Sequence, residues 1–372
     1  MSAGHLWGFN LSQWAGIRSR FSHPLPSPAP NLGGVADRVF PQGDWTHGDL
    51  GDRVHTGLLD AAIDELVNRP ESHGRTHGLL IVANGRVVRE WNGEGFTPQS
   101  THISWSMAKS ITHALVGIAV GDGLLSLNDT HLLSEWQNDE RSKISLHDLL
   151  TMRSGLKWIE DYVDGTASDV IEMLFAESDF TGNHAAYAAA KPLLHEPGTQ
   201  WVYSSGTTNI VARILANALG EKSESHEVVE DFMRTRLFAP LGMSATPKFD
   251  TAGTFVGSSF LYATTRDFAK FGYLYLNGGK WGDNQILPIG WSHDAARSVV
   301  HDDVTGMGYS SHWWTWPTDT GSMIAHGYEG QLTWVSPLRD VVVVHVGKTS
   351  ADYSDQLRRG LERIVVEFPA YG

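Results

Sequence analysis

The chain has 372 residues, of which 41% are hydrophobic and 19% charged, so it can bury the core of one large domain or two. Its formal net charge of −14, with no long basic run, argues against nucleic acid or an anionic membrane surface as a partner. The absence of cysteine excludes disulfides, thiolate metal sites and a cysteine nucleophile.

The N-terminal segment, residues 1–55, is rich in proline and glycine and shows little hydrophobic periodicity. We interpret it as an extended arm that packs over the surface through Trp7, Trp14 and Phe21. Its start lacks the basic stretch and apolar core of a signal peptide, and no apolar run along the chain approaches the length of a membrane span. We therefore expect a cytoplasmic protein with no membrane partner.

The folded part is predicted to begin with a helix and a hairpin. Apolar residues at helical spacing predict an amphipathic helix over 56–67. Asn84-Gly85 between two apolar runs predicts a hairpin, since this dipeptide favours a tight two-residue turn. An extended run at 101–105 then leads into a helix that begins at Ser106.

Helices dominate the middle of the chain, and strands return near its end. Helical spacing occurs at 146–152, 167–176, 208–219, 232–241, 265–276 and 288–297. Strands are predicted at 323–326, 331–335 and 341–346, before a final helix over 352–368.

This order predicts an α/β sandwich plus an all-α region. Residues 56–121 and 258–372 are expected to form an antiparallel sheet flanked by helices, with 122–257 as a helical insertion. A cleft between the two regions would contain the start of the Ser106 helix, and such clefts commonly bind ligands.

Ser106 and Lys109 would lie side by side in the first turn of that helix. The helix dipole favours a serine that becomes an alkoxide, and partial desolvation lowers the pKa of a lysine so that it can act as a base. This S-x-x-K arrangement is typical of serine hydrolases of the β-lactamase and penicillin-binding-protein type. On its own it is a weak signal, because a chance S-x-x-K can lie on any exposed helix.

Two later segments resemble the other motifs of class C β-lactamases, D-alanyl-D-alanine carboxypeptidases and their esterase and amidase relatives. Residues 201–206, WVYSSG, resemble the Y-x-N or Y-x-S element. The resemblance implies that Tyr203 lies within reach of Ser106 and relays protons. We expect its phenol to ionise more easily than usual beside donor groups. The alternative interpretation is a core tyrosine ahead of a helix.

Residues 325–331, AHGYEGQ, resemble an A-x-G-x-x-G-Q variant of the K-T-G strand. The resemblance implies that the backbone amides of Ser106 and Tyr328 form the oxyanion hole, a large source of rate. It also implies that His326 and Gly327 line the substrate. Residues 348–350, KTS, are closer to K-T-G by letter, but they end a valine-rich strand and lack the glycine, so we assign them to a strand end.

Further segments are similar to the 6-aminohexanoate-dimer hydrolase family, from about Leu79 to the C-terminal helix. These segments are 149–156, 160–164, 263–267, the pair Trp313-Trp314, and 330–334. The resemblance implies that Tyr162 lies on a mobile loop that closes over an amide substrate, and that the pair Trp313-Trp314 lies near the same cleft, with Trp313 as a substrate contact. An ordinary exposed loop aromatic is the alternative for Tyr162.

Three departures from these families bear on the substrate. Ser205 replaces the asparagine of Y-x-N, and Ala325 replaces the lysine of K-T-G, two side chains that bind β-lactams. Ser258 stands at a position where the 6-aminohexanoate-dimer hydrolase family carries an asparagine. We therefore expect Ser205 and Ser258 to contact a substrate other than a β-lactam.

The sequence predicts a serine hydrolase that cleaves small esters or amides through an acyl-enzyme intermediate. A β-lactamase or D-amino-acid peptidase, and a catalytically silent binding protein on the same scaffold, remain alternatives. No G-x-S-x-G or H-E-x-x-H motif supports other hydrolytic chemistry. No cofactor or metal is expected, because residues 301–303, HDD, lack spaced partner ligands. The expected partner is the small-molecule substrate, and the sequence leaves open whether the protein forms a homodimer.

Overall fold

The structure is a computed structural model that describes residues 38–41, 43–162, 167–176, 180–303 and 305–371. The surface contacts predicted for Trp7, Trp14 and Phe21 lie outside these residues. Within the described ranges, no helix is both long enough and apolar enough to cross a membrane.

The helical elements follow the predicted order. The α-helices of the described residues are α1 (Thr56–Val67), α2 (Met107–Gly121), α3 (Leu146–Leu150), α4 (Asp169–Phe175), α5 (His184–Ala189), α6 (Ser205–Leu219), α7 (Glu227–Met233), α8 (Ala239–Leu241), α9 (Thr265–Leu276), α10 (Trp291–Ala295) and α11 (Ser354–Val366). A π-helical turn, Arg234–Phe238, joins α7 to α8. The two most clearly amphipathic predictions, 56–67 and 265–276, have the bounds of α1 and α9.

Thirteen strands are present in the described residues. They are β1 (Gly74–Ala83), β2 (Arg86–Asn92), β3 (Thr101–Ile103), β4 (Thr246–Pro247), β5 (Leu261–Thr264), β6 (Lys280–Trp281), β7 (Asn284–Gln285), β8 (Val300–His301), β9 (Gly308–Tyr309), β10 (Trp314–Trp316), β11 (Asp319–His326), β12 (Leu332–Ser336) and β13 (Val341–Thr349). Eight of them form one antiparallel sheet in the order β2-β1-β13-β12-β11-β10-β9-β8, and β3, β5 and β4 form a smaller sheet.

The first and last thirds of the chain share the large sheet, because β1 pairs with β13 along nearly its whole length. Successive residues of β1 face opposite sides, as the period of a strand requires. Leu79 and Ile81 belong to the core under α1 and α11. Leu80 and Val82 belong to the core under α2 and α9. Helices therefore cover both faces, and the predicted α/β sandwich is confirmed.

Helix α2 lies at the centre of the molecule. Every residue from Met107 to Ala119 is buried, the polar Lys109, Ser110, Thr112 and His113 included, so the helix is enclosed on all sides rather than on one face. It contacts β11 of the sheet and α6 of the helical region. One continuous core includes Ile111 of α2, Ile210 of α6 and Phe271 of α9. The helical region thus shares its core with the sheet, and the division at 122 and 257 stays a prediction.

The described part of the predicted arm packs against the outer edge of β2. The backbone N–H of Gly48 donates to Val87 O, and the N–H of Val87 donates to Thr46 O, both at 3.0 Å. Trp45 is buried and donates its indole N–H to Arg266 O at 3.0 Å. Arg38 makes a 2.8 Å ion pair with Asp340. These contacts hold Arg38 and residues 45–48 against the sheet and α9.

Candidate active site

The nucleophile candidate follows a strained turn between β3 and α2. Trp105 has φ +43°, a left-handed conformation that is uncommon for a residue other than glycine. Its ring packs against Tyr328, with ring centroids 5.3 Å apart, and against Phe260 at 5.8 Å. Such packing can offset backbone strain, which is often found at functional sites. Ser106 is the N-cap residue of α2.

Lys109 meets Ser106 in the first turn of α2, as the spacing predicts. The Lys109 side chain is 2% exposed, and its Nζ lies 3.0 Å from Ser106 Oγ, 2.9 Å from Ser205 Oγ and 3.1 Å from Ser258 O. An ammonium has a proton for each of these three acceptors, whereas a neutral amine has two protons and one lone pair. Burial lowers the pKa of Lys109 to about 8, and the charge of Glu160 opposes this shift.

Tyr203 lies on the other side of Lys109. The centroid of its ring is 4.9 Å from Lys109 Nζ, and the Ser106 side chain is near enough to its phenol to lower the phenol's pKa. Tyr309 and Trp314 hold the ring, with centroids at 5.8 and 5.6 Å. Burial raises the pKa of Tyr203 above its ordinary value, and the Glu160 charge raises it further. The expectation that this phenol ionises easily is therefore wrong, because desolvation outweighs the opposing effect of Ser106 on the pKa of Tyr203, and the phenol keeps its proton at neutral pH.

The end of β11 lies directly against the start of α2. A Cβ added to Gly327 would lie 2.3 Å from Ser104 O and 3.2 Å from Ser106 N, so only glycine allows this approach. The N–H of Gly327 donates to Gln331 O at 2.7 Å, which closes the loop that carries Tyr328. The backbone segments of Ser106 and Tyr328, predicted to form the oxyanion hole, are thereby brought side by side.

Glu160 is the residue of this cluster that the sequence did not single out for a role. Its carboxylate is 5% exposed and accepts four hydrogen bonds. The donors are Ser205 N at 2.8 Å, Ser205 Oγ at 2.5 Å, Tyr162 OH at 2.7 Å and Trp158 Nε1 at 2.5 Å. A single glutamate in a loop has no spacing that marks it. Its adjacency to Tyr162 was the available signal.

Tyr162 lies beside the cluster, and two predicted substrate contacts lie behind it. The Tyr162 ring stacks on that of Tyr328 at 6.2 Å and 10°. Ser205 is fully buried between Lys109 and Glu160. Ser258 is also fully buried: its carbonyl binds Lys109, and its hydroxyl bonds Ser259 at 2.9 Å. Ser205 and Ser258 therefore hold the lysine and do not contact substrate in this arrangement, a correction that follows from their burial.

The tryptophan pair requires a second correction. Trp313 is 0% exposed and packs in the core against Phe271 and Tyr275, with centroids at 5.8 and 4.5 Å. Its neighbour Trp314 contacts Tyr203 instead. Trp313 is therefore a core residue and not a substrate contact.

The remaining predicted positions lie at strand ends. His326 ends β11 and is half-buried, and burial lowers its pKa to about 3, so it is neutral at neutral pH. It precedes Gly327 and stays a predicted substrate contact. Lys348 is exposed near the end of β13, which confirms the strand-end assignment of residues 348–350. Within the described ranges, no group of three or more His, Asp or Glu side chains could hold a metal ion.

Comparison with known proteins finds relatives by sequence and similar folds among solved structures. The 6-aminohexanoate-dimer hydrolase of Paenarthrobacter ureafaciens is 24% identical over 363 residues, which cover 88% of this chain and 91% of the relative. A solved structure described as a 6-aminohexanoate-dimer hydrolase from Bacillus anthracis has a TM-score of 0.70 at 21% identity, covering 88% of this chain and 87% of that one. A class C β-lactamase mutant has a TM-score of 0.63 at 15% identity, covering 86% and 99%.

These likenesses confirm the β-lactamase/transpeptidase-like fold and the family resemblance stated from the motifs. The sequence pattern of the β-lactamase family matches residues 59–365, most of the chain. The protein therefore belongs to the β-lactamase family of hydrolases.

Proposed function

We propose that this protein is a serine hydrolase that cleaves small esters or amides through an acyl-enzyme intermediate on Ser106. The contact that carries the proposal is the 3.0 Å distance between Lys109 Nζ and Ser106 Oγ in a desolvated setting. Because burial lowers the pKa of Lys109 to about 8, a useful fraction of the amine is neutral near physiological pH. A neutral amine beside a serine hydroxyl is an activated nucleophile pair.

Acylation would use Ser106, Lys109, Tyr203 and the backbone of Tyr328. Ser106 Oγ attacks the carbonyl carbon while Lys109 Nζ takes the hydroxyl proton. The carbonyl oxygen becomes an oxyanion that accepts hydrogen bonds from the amides of Ser106 and Tyr328. As the bond to the leaving group breaks, Tyr203 donates its phenolic proton to the departing oxygen or nitrogen and regains a proton from Lys109. Water then releases the acyl group by the reverse path.

The residues at the K-T-G position favour esters or linear amides over β-lactams. Ala325 supplies no cation at the position of the K-T-G lysine, and Lys348 is exposed at the strand end instead. A β-lactam or D-alanyl carboxylate would therefore lack its usual ammonium partner. The similarity to 6-aminohexanoate-dimer hydrolase makes a linear amide the natural first amide substrate to test.

The test is a substrate panel on wild type and Ser106→Ala: p-nitrophenyl butyrate, 6-aminohexanoate linear dimer and nitrocefin. We expect the wild type to hydrolyse the butyrate ester, and Ser106→Ala to lower kcat by about 10⁴-fold or more. Residual activity near the wild-type level in Ser106→Ala would contradict the assignment of the nucleophile. Preference for nitrocefin would favour the β-lactamase alternative.

Covalent labelling separates an enzyme from a silent binding protein. A fluorophosphonate should add one phosphonyl group to the wild type and none to Ser106→Ala, as measured by intact mass. Absence of the adduct from folded wild-type protein would favour a binding role on this scaffold.

A further inference from the structure

We infer that Glu160 is a positioning residue that fixes the direction of the hydrogen bonds around Lys109, so that the lone pair of the neutral amine faces Ser106. The inference rests on the proposed function, because it concerns how Lys109 acts as the base. Glu160 does so through Ser205, which lies between the two side chains.

Among the described residues, four groups lie within hydrogen-bond distance of the Glu160 carboxylate. All four carry a hydrogen, and an ionised carboxylate can only accept. Two of them, Ser205 N and Trp158 Nε1, can only donate. The single hydroxyl hydrogen of Ser205 is directed to Glu160 Oε1 at 2.5 Å. Ser205 Oγ is consequently left with lone pairs toward Lys109.

The direction of the Ser205 hydroxyl fixes which hydrogen bonds Lys109 Nζ can make. Its Nζ must donate to Ser205 Oγ at 2.9 Å, and it must also donate to Ser258 O at 3.1 Å, since a carbonyl oxygen can only accept. A neutral amine has two hydrogens, and both are now used. The lone pair therefore faces Ser106 Oγ at 3.0 Å, where it can take the nucleophile's proton. Without the carboxylate, the Ser205 hydroxyl could donate to Lys109 and occupy that lone pair.

The charge of Glu160 adds a second, measurable effect. It favours the protonated form of Lys109 and so opposes the desolvation of the amine. The other described titratable groups that act on this pair are Tyr162, Tyr203, Tyr309 and His312. Burial raises the pKa of the three phenols and lowers that of His312 to about 3, so these groups are neutral between pH 7 and 9. Asp161, the next residue in the chain, is unchanged in every variant described below, so it cannot cause a difference between their pH profiles.

Glu160→Gln tests the inference with little change of shape. The glutamine oxygen can still accept from Ser205 N and Trp158 Nε1, while its amide donates to the two hydroxyls. This reverses the Ser205 hydroxyl and removes the charge. We expect kcat/KM for p-nitrophenyl butyrate to fall about 10- to 100-fold. We also expect the alkaline rise of the pH profile to move to lower pH, because the protonated form of Lys109 loses its counter-charge.

The matched control is Asp319→Asn at the far end of β11. Asp319 is also buried and also accepts from a tryptophan and a serine, Trp334 Nε1 at 2.9 Å and Ser336 Oγ at 2.8 Å. Its loss should leave the pH profile of kcat/KM unchanged, even if the protein melts at a lower temperature. A purely structural role for Glu160 would make the two variants behave alike.

Ser205→Ala completes the test and replaces Glu160→Gln if that variant does not fold. Ser205→Ala should also shift the pH profile to lower pH, and Glu160→Gln should have a smaller effect in the Ser205→Ala background than alone. A pH profile for Glu160→Gln equal to that of the wild type, or full additivity with Ser205→Ala, would overturn the inference. If instead the wild type takes up no fluorophosphonate at Ser106, the proposed function fails first, and the two failures are distinguishable.

Discussion

Lys109 sets the pH at which Ser106 can react, because the proposed base must be neutral. With its pKa lowered to about 8, the amine should be mostly protonated at pH 7 and mostly neutral at pH 9. We expect kcat/KM for p-nitrophenyl butyrate to rise with an apparent pKa of about 8, and to fall about tenfold for each pH unit below it. The measurement is initial rates across about pH 6 to 10, corrected for spontaneous hydrolysis.

Lys109→Arg is the matched control for this profile. A guanidinium stays protonated throughout that range, so the variant should lose both activity and the alkaline rise. A wild-type profile that is flat between pH 6 and 10 would show that Lys109 is not the base.

The same lysine should lower the stability of the folded protein. The pKa of Lys109 is about 8 when folded, against an ordinary value of 10.5. Between these values the unfolded chain binds a proton that the folded protein has lost, so the contribution of Lys109 to the free energy of unfolding rises with pH. Below pH 8 the lysine is protonated in both states, and the full destabilisation from burying its charge is present. We expect Lys109→Met to be inactive yet more stable at pH 7, by on the order of 1–2 kcal/mol after lost hydrogen bonds offset part of the gain.

Urea denaturation at pH 7 and at about pH 10 measures this effect. The difference between Lys109→Met and wild type should shrink at the higher pH. Lower stability of the variant at both pH values would mean that the bonds to Ser205 and Ser258 outweigh the cost of burial.

Some site residues could be predicted from sequence and others could not, for physical reasons. Ser106 and Lys109 share a helix turn, so their spacing alone places them together. Glu160 reaches Ser205 across 45 residues, and no local pattern encodes such a contact. Ser258 acts through its backbone carbonyl, which every residue possesses. The assignment of Trp313 failed because neighbouring residues along an extended chain face opposite sides, so the pair alone could not show which tryptophan approaches Tyr203.

The close packing of α9 on the sheet can be tested at Gly272. A Cβ on Gly272 would lie 2.8 Å from Thr333 Cγ2 and 2.8 Å from Val342 Cγ1, on the sheet beneath the helix. We expect Gly272→Ala to lower the free energy of unfolding by about 1–3 kcal/mol, because the methyl group must displace packed side chains. The measurement is the midpoint of urea denaturation.

Gly57→Ala in α1 is the matched control. A Cβ there would meet nothing within 4 Å. This variant should gain about 0.5–1 kcal/mol, since alanine restricts the unfolded chain and favours helix. Midpoints that move in the same direction for both glycines would contradict the close approach of α9 to the sheet.

The length and amphipathicity of a helix or strand decided whether it could be predicted from the sequence. Helices α1 and α9 have long, regular apolar faces, and the residues predicted for them match the structure. Strands β8, β9 and β10 were missed, because runs of two or three residues are too short to show alternation. Their place in the sheet depends on pairing with distant segments.

The whole molecule should unfold as one unit, although the sequence suggested two regions. Trp136 of the helical region and Val342 of the sheet belong to one continuous core, joined through α2. Loss of either region would expose the buried faces of that helix. We expect a single calorimetric transition whose measured enthalpy equals the van't Hoff enthalpy. Two resolved peaks would show that the helical insertion folds on its own.

The contacts of residues 46–48 with β2 have a consequence for assembly and for handling of the protein. An outermost strand offers a row of unpaired N–H and C=O groups that can template the strand of another molecule. Val87 already has both of its backbone groups bound by the same chain. A shortened protein that begins at α1 would leave this edge open, and its molecules would tend to join edge to edge and precipitate. A fusion partner attached to such a shortened protein would not replace the hydrogen bonds that Thr46 and Gly48 make with Val87. Expression designs should therefore keep residues 38–55.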